Sequence, residues 1–301
     1  MTRPPFPSVL DSSIMAAAHS CGRKVELEHF LHWKPQGISV HLHAGASYAS
    51  GLEAARRAFY EQGASAEDSI AKGIGVLMAH YGDYQCPPDS AKSLERTAGA
   101  LEFYFSRYPL GEDQAVPITL PSGKRGIEFS FAEPIDIAHP ETGDPIIYCG
   151  RMDMLCDYQS MKLGEDDKTA SQLGASWPRQ WDLRSQFTGY VWGAGRNGIK
   201  LDGFLVRGVS ILKTKYDTLE AITYRPEWQI ERWYGQLLRD VRRMIAQWTE
   251  GYFDYNLDHA CAEYGGCAFR NVCLMKDPTL LLEQQFERRK WNPLTREELL
   301  L

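Results

Sequence analysis

Residues 150–171 read GRMDMLCDYQSMKLGEDDKTAS, and the reading of this stretch decides the fold. Asp153 stands in Gly150-Arg151-Met152-Asp153, and thirteen positions later comes an acid-x-lysine triplet, Asp166-Asp167-Lys168. The run around Asp153 has the composition of a strand, residues 157–160 that of a turn, and a second extended run ends at Lys168. Two strands of a hairpin place Asp153 and Asp166 side by side at one end of a sheet. Carboxylates held that close repel each other unless a cation sits between them, which is a first pointer to a metal site. Lys168 lies two residues beyond Asp166 and so shares its strand face. Its ammonium can orient a water or stabilise a developing negative charge there.

Outward from this hairpin the hydrophobic period sorts the chain. Upstream, Ile127, Phe129 and Phe131 alternate with Glu128 and Ser130, which predicts a half-buried strand. Glu141-Thr142-Gly143-Asp144-Pro145 is a turn, and strands are predicted over 146–158 and 161–169. Further upstream, helices are predicted over 9–30, 46–60, 66–81 and 90–108. The last three form a helical region beside the sheet. Downstream, residues 180–197 return to a helical period, with Gln186 and Tyr190 four apart on adjoining positions of the helix surface. Strands follow over 201–214 and 218–224. Pro226 then opens a helix over 227–248, whose apolar stripe reads as core and whose Arg232, Arg239, Arg242 and Arg243 give it a basic side. From Pro278 a final helix and an extended end are expected, with Glu287-Arg288-Arg289-Lys290 as a solvated charged face.

The chain has 301 residues and is 44% apolar, enough for a real core. No run approaches the ~18 apolar residues of a membrane span, and the first residues lack the apolar segment of a secretory signal. A cytoplasmic protein is expected. The net charge of −6 argues against nucleic-acid binding unless basic patches are local. Seven cysteines without a signal point to reduced thiols or metal ligation, not to a disulfide framework. Three of them, Cys261, Cys267 and Cys273, fall within CAEYGGCAFRNVC, where Gly265-Gly266 lets the chain turn tightly around something small. A four-ligand metal centre would need one more ligand. Cys149 and Cys156 read as buried packing residues, and Cys86 as a loop thiol.

Taken together, Asp153, Asp166 and Lys168 resemble the signature residues of the PD-(D/E)XK nuclease superfamily. The closer likeness is to its RecB-like branch, which includes phage-encoded exonucleases and CRISPR-associated nucleases of spacer acquisition. Ser185-Gln186-Phe187-Thr188-Gly189-Tyr190 resembles the Q-x-x-x-Y motif that follows the lysine in that branch. Cys21 followed by Lys24, with the three later cysteines, resembles the four thiols of its iron–sulfur members. Those members space the last three as C-x2-C-x5-C, and the first gap is longer here. Relatives often carry a metal-binding histidine where this chain has Ala49; His41 and His43 are the nearby alternatives.

The resemblance implies an α/β fold with a restriction-endonuclease-like αβββαβ core, an N-terminal helical region and a C-terminal cysteine-cluster segment. The boundaries expected are 1–113, 114–250 and 251–301. It implies a metal-dependent deoxyribonuclease, of exonuclease and phage or mobile-element type, acting on DNA in processing or recombination. Mg2+ or Mn2+ would be held by Asp153, Asp166 and the carbonyl of Asp167, with Lys168, Gln186 and Tyr190 completing the catalytic set. Cys21, Cys261, Cys267 and Cys273 would hold a structural 4Fe-4S cluster, with Zn2+ as the alternative. A recombination or single-strand annealing protein is an implied partner. Two other readings stay open: a catalytically inactive iron–sulfur or zinc DNA-binding module, and a CRISPR spacer-acquisition nuclease.

Overall fold

The computed structural model describes residues 3–257, 260–262 and 266–301, so Gly265 of the cysteine segment lies outside the described residues. In chain order the elements are β1 (Val9–Leu10), α1 (Ser12–Ser20), α2 (Gly22–Val25) with a π turn at Glu26–Phe30, β2 (Trp33–Pro35), α3 (Val40–Tyr60), α4 (Ala66–Tyr81) and α5 (Leu94–Arg107). Next come β3 (Val116–Pro117), β4 (Ile127–Ala138), β5 (Pro145–Tyr158), β6 (Met161–Ala170), a 3-10 turn at Pro178–Trp181, α6 (Ser185–Arg196), β7 (Gly203–Ile211) and β8 (Tyr216–Tyr224). The chain closes with α7 (Glu227–Glu250), α8 (Arg270–Cys273), α9 (Thr279–Gln285), β9 (Phe286–Asn292) and β10 (Glu297–Leu300). The result is a mixed α/β fold. It divides into one unit of residues 38–130 and 151–230 and another of 1–37, 131–150 and 231–301.

In the first of these units, β6 pairs antiparallel with β5 and parallel with β7, and β7 pairs antiparallel with β8. β7 is buried along all nine residues, as expected of a central strand covered on both faces. One face carries Val209 and Ile211, which pack with Tyr48, Leu52, Leu77, Leu101, Tyr104 and Phe105 of α3, α4 and α5. α3 and α4 meet backbone to backbone. A Cβ on Gly51 would lie 2.8 Å from the Gly73 carbonyl, and one on Gly73 would lie 2.6 Å from the Gly51 carbonyl, so only glycine fits either place. On the other face Phe187 of α6 stacks on Phe204 of β7 at 4.6 Å. That approach requires Gly164 on β6, whose Cβ would fall 2.4 Å from the Phe204 ring.

The helix-covered face also holds a buried ionic network. Side chains alternate along β6, so Glu165 and Asp167 point to this face while Asp166 and Lys168 point to the other. Arg56 of α3 pairs with Glu165, donates to Asp167 Oδ2 at 2.8 Å and to the Tyr104 hydroxyl at 2.7 Å. Arg207 of β7, beside Asp167 in the parallel register, is fork-bonded to Asp113 at 2.6 and 2.7 Å and donates to Glu220 at 2.8 Å. Both guanidinium groups are almost wholly buried. Burial pushes the Asp167 carboxyl up to about 8, against the pull of Arg56.

In the second unit, β1 pairs parallel with the first half of β5, and β9 lies between β2 and β10. The helix expected over 9–30 is broken. Val9 and Leu10 are taken into the sheet, and Asp11 Oδ1 then caps α1 by accepting from the Ser13 and Ile14 amides at 3.0 and 2.9 Å. Cys21 is extended, because a Cβ on Gly22 would lie 2.6 Å from Gln247 Oε1 and the chain must turn there. The charged run at 287–290 is the middle of β9, with Arg288 and Lys290 exposed as expected and Arg289 paired with Glu298 at 2.6 Å. Phe269 and Phe286 stack at 5.2 Å in a small core with Leu27, Val272 and Leu282.

Two predictions follow from the network. Arg56→Met leaves the buried Glu165 without its main counter-charge and Asp167 without a donor, and should lower the unfolding free energy by about 3–5 kcal/mol in urea denaturation. Asp167 in the fold keeps its proton up to about pH 8, against 3.8 ordinarily, so between those values the folded state holds a proton that the unfolded chain has lost. Stability therefore falls as pH rises across that window. Asp167→Asn, which cannot ionise, should lose less stability than the parent between about pH 5 and about pH 8; an equal loss would contradict this.

Candidate functional site

The β5–β6 register pairs Met154 with Glu165 and Leu155 with Gly164. One step further along, Asp153 stands opposite Asp166, and opposed residues share a face. The ladder ends at this point because the Asp167 amide donates to the Asp153 side chain, Oδ2 at 2.8 Å, and not to a backbone carbonyl. That bond fixes the Asp153 carboxylate at the sheet's opening. In an extended strand the N–H and C=O of one residue face the same neighbour, so the Asp167 carbonyl also looks toward β5.

Lys168 supplies the positive charge for this pair of acids. Its ammonium is ion-paired with Asp166 and lies within the field of Asp153 and of Tyr190. Burial works against the ammonium, but the two carboxylates outweigh it and hold its pKa above the ordinary lysine value. The side chain is 35% exposed, so it can still reach an incoming group. On α6, Gln186 Nε2 donates to the Tyr190 hydroxyl at 2.9 Å. The Phe187–Phe204 stack and the Tyr190–Phe204 contact anchor that helix on the same sheet face. Asp153, Asp166, Lys168, Gln186 and Tyr190 are thus collected on one side of one sheet, while the Asp167 side chain is turned to the other.

His43 and His41 do not join them. His43 Nε2 lies 2.9 Å from the Tyr81 carbonyl and its ring stacks on Tyr84 at 4.1 Å, while His41 and Ala49 are exposed on α3. Among the described residues no three His, Cys, Asp or Glu side chains converge as a metal-holding group.

The four cysteines lie in the other unit. The Cys273 thiol is pushed up by burial, drawn down by Arg23, and pushed up by Cys267, Cys21 and Cys261, but no three of these thiols stand close enough to hold a metal among the described residues. The Asn256 amide donates to Cys21 Sγ at 3.4 Å, and the Cys267 amide to the Cys261 carbonyl at 3.2 Å. Cys149 and Cys156 are buried, the former pushed up to about 12 by desolvation, which makes them inert packing thiols.

Several residues that shape the site escape a reading of motifs alone. Arg56 and Arg207 clamp the back of β6, and Glu165 and the Asp167 side chain are their partners. Each arginine does carry a signal: Arg207 interrupts the apolar run Phe204-Leu205-Val206, and Arg56 follows Leu52 by four on the apolar stripe of α3. Glu128 is another. It enters β4 with φ 54, a left-handed conformation that is strained for a non-glycine residue, and it pairs with Arg151 at 2.8 Å, two residues before Asp153.

No helix among the described residues is long and apolar enough to cross a membrane. No family model matches the sequence, and no curated protein matches it. Among solved structures, the chain is similar in fold to a protein from Eubacterium rectale described as a "putative exonuclease", with a TM-score of 0.50 and 13% identity over 85% of this chain and 88% of that one. A second structure, SSO0001, aligns at 13% identity over 79% of this chain and 97% of its own with a TM-score of 0.32, too low to carry an argument. At these identities the likeness is one of fold alone.

Proposed function

We propose that this protein is a metal-dependent DNA nuclease of the PD-(D/E)XK type, of the RecB-like branch, with Asp153, Asp166 and Lys168 as its catalytic centre. The observation that carries the reading is the meeting of two opposed carboxylates and one ammonium on a single sheet face, at the point where the β5–β6 ladder opens. The fold likeness to a protein described as an exonuclease supports it.

The donor set fits a hard divalent ion. Asp153, Asp166 and the Asp167 carbonyl offer only oxygen, and Mg2+ or Mn2+ is commonly held by one or two carboxylates while keeping waters for substrate. Such an ion, when bound, would polarise the scissile phosphate and lower the pKa of an attacking water. The chain's own residues do the rest. The Asp167 amide holds Asp153 in place, and Lys168, kept charged, stabilises negative charge that develops on the phosphate or orients the water. The Gln186–Tyr190 pair presents a hydroxyl beside Lys168 where an entering strand would pass. Cys21, Cys261, Cys267 and Cys273 would supply the thiolates of a soft-metal centre, an iron–sulfur cluster or zinc, with a structural role.

In assays with labelled duplex and single-stranded DNA, cleavage should require Mg2+ or Mn2+ and vanish with chelator. Asp166→Asn and Lys168→Met should each reduce the rate by roughly 10²–10³-fold while leaving the circular dichroism spectrum unchanged. Undiminished cleavage by either variant would overturn the assignment. Iron-type visible absorbance in anaerobically purified protein that is lost in Cys273→Ser is expected for the cluster; a colourless protein carrying zinc would assign the thiols to zinc instead.

A further inference from the structure

Lys92 differs from three other cations packed against the sheet. Arg56, Arg207 and Lys168 each meet a carboxylate. Lys92 is 3% exposed, and among the described residues no carboxylate pairs with it. Its Nζ donates to the hydroxyl of Thr169 at 3.1 Å. Its backbone is held on both sides, by the Ser90 hydroxyl at 3.1 Å and the Tyr81 hydroxyl at 2.7 Å. Desolvation alone brings its pKa down to about 8, with no neighbouring charge to raise it. Placing an ammonium in such surroundings is costly, and a hydrophobic side chain of similar size would be cheaper.

The surroundings indicate what would offset that cost. Lys92 lines a cavity of about 520 Å³ together with Ser90, Ser171, His41, Lys213 and Asp89. Asp89 is the one carboxylate in that lining and is exposed, and Lys213 is exposed at the end of β7. Cationic and hydroxyl donors around a space of this size suit a tetrahedral oxyanion, for which charge-assisted hydrogen bonds are strongest. The position also matters. Thr169 follows Lys168 on β6 and, by strand alternation, turns its side chain to the helix-covered face with Val209, so this cation lies near the same end of the sheet as the candidate catalytic lysine but on the opposite face.

We propose that Lys92, held by Thr169, forms a phosphate subsite that binds a backbone phosphate of the nucleic-acid strand on the face of β6 opposite the candidate catalytic groups. The identity of the strand rests on the nuclease reading; the anion site itself does not.

The test uses inorganic phosphate as probe, with the full-length protein in chelator so that no hydrolysis occurs. Phosphate should raise the thermal midpoint of the parent protein. Lys92→Met should abolish that response while raising the midpoint measured without phosphate, since an unpaired buried charge is gone. Thr169→Val, which keeps the lysine, should weaken the response and provides the reading if the Lys92 variant fails to fold. An undiminished phosphate response in Lys92→Met, or in Thr169→Val where only that variant folds, would overturn the proposal, as would a parent protein indifferent to phosphate. Cleavage kinetics supply the second arm: Lys92→Met should raise KM for DNA roughly tenfold and largely spare kcat, and a loss confined to kcat would contradict a strand-holding role. A Lys92-dependent phosphate response in a protein that cuts no DNA would retain the anion site and reject the nuclease.

Discussion

The fold depends on one buried clamp. Arg56 reaches from α3 to Glu165 and Asp167, and Arg207 reaches from β7 to Asp113 and Glu220, all on the helix-covered face of the sheet. Two acids two residues apart on β6 are thereby fixed to one side. Strand alternation then leaves Asp166 and Lys168 no choice but the opposite side. A slip of one residue would bury Asp166 and Lys168 among apolar helices and expose Glu165 and Asp167, with neither arginine satisfied. The ionic network thus sets the register that presents the candidate site, at a desolvation cost that only its complete pairing offsets.

The front face follows from smaller constraints. Gly164 has no side chain, so Phe204 can lie beneath it and Phe187 can stack on Phe204, and this seats α6 with Gln186 and Tyr190 beside Lys168. The Asp153 carboxylate terminates the β5–β6 ladder by taking the Asp167 amide, which links the front site to the back clamp through a single residue. Substitutions at Asp167 therefore act on both faces: its side chain on stability, its backbone on the orientation of Asp153. The acidic net charge is also less of an obstacle to a polyanionic substrate than the sum implies, because Glu165 and Asp166 are internal and face cations and Asp167 keeps its proton near neutral pH.

Much of this was legible from local pattern. Residues 66–81 form a helix with the expected ends, since Ser65 caps it and Gly82 closes it with φ 53. β5 and β6 lie within a residue of their expected bounds because alternation and a turn delimit them. Capping side chains shifted other boundaries: Ser39 starts α3 at Val40, earlier than expected, and Ser93 starts α5 at Leu94, later. The break at Cys21 was not legible, because it arises from the close approach of Gln247 and Asp254, more than two hundred residues away in sequence. Nor were the partners of Arg56, Arg207 and Lys92. A charge inside an apolar run announces that something must neutralise it, but which residue does so is decided only when strands and helices pack.

The account stands on Asp153 and Asp166 acting together on a divalent cation. The most direct measurement is Mn2+ binding by electron paramagnetic resonance titration of the parent protein and of Asp166→Asn. The account predicts specific Mn2+ binding in the parent that the variant loses. Equal Mn2+ binding by both proteins would contradict it.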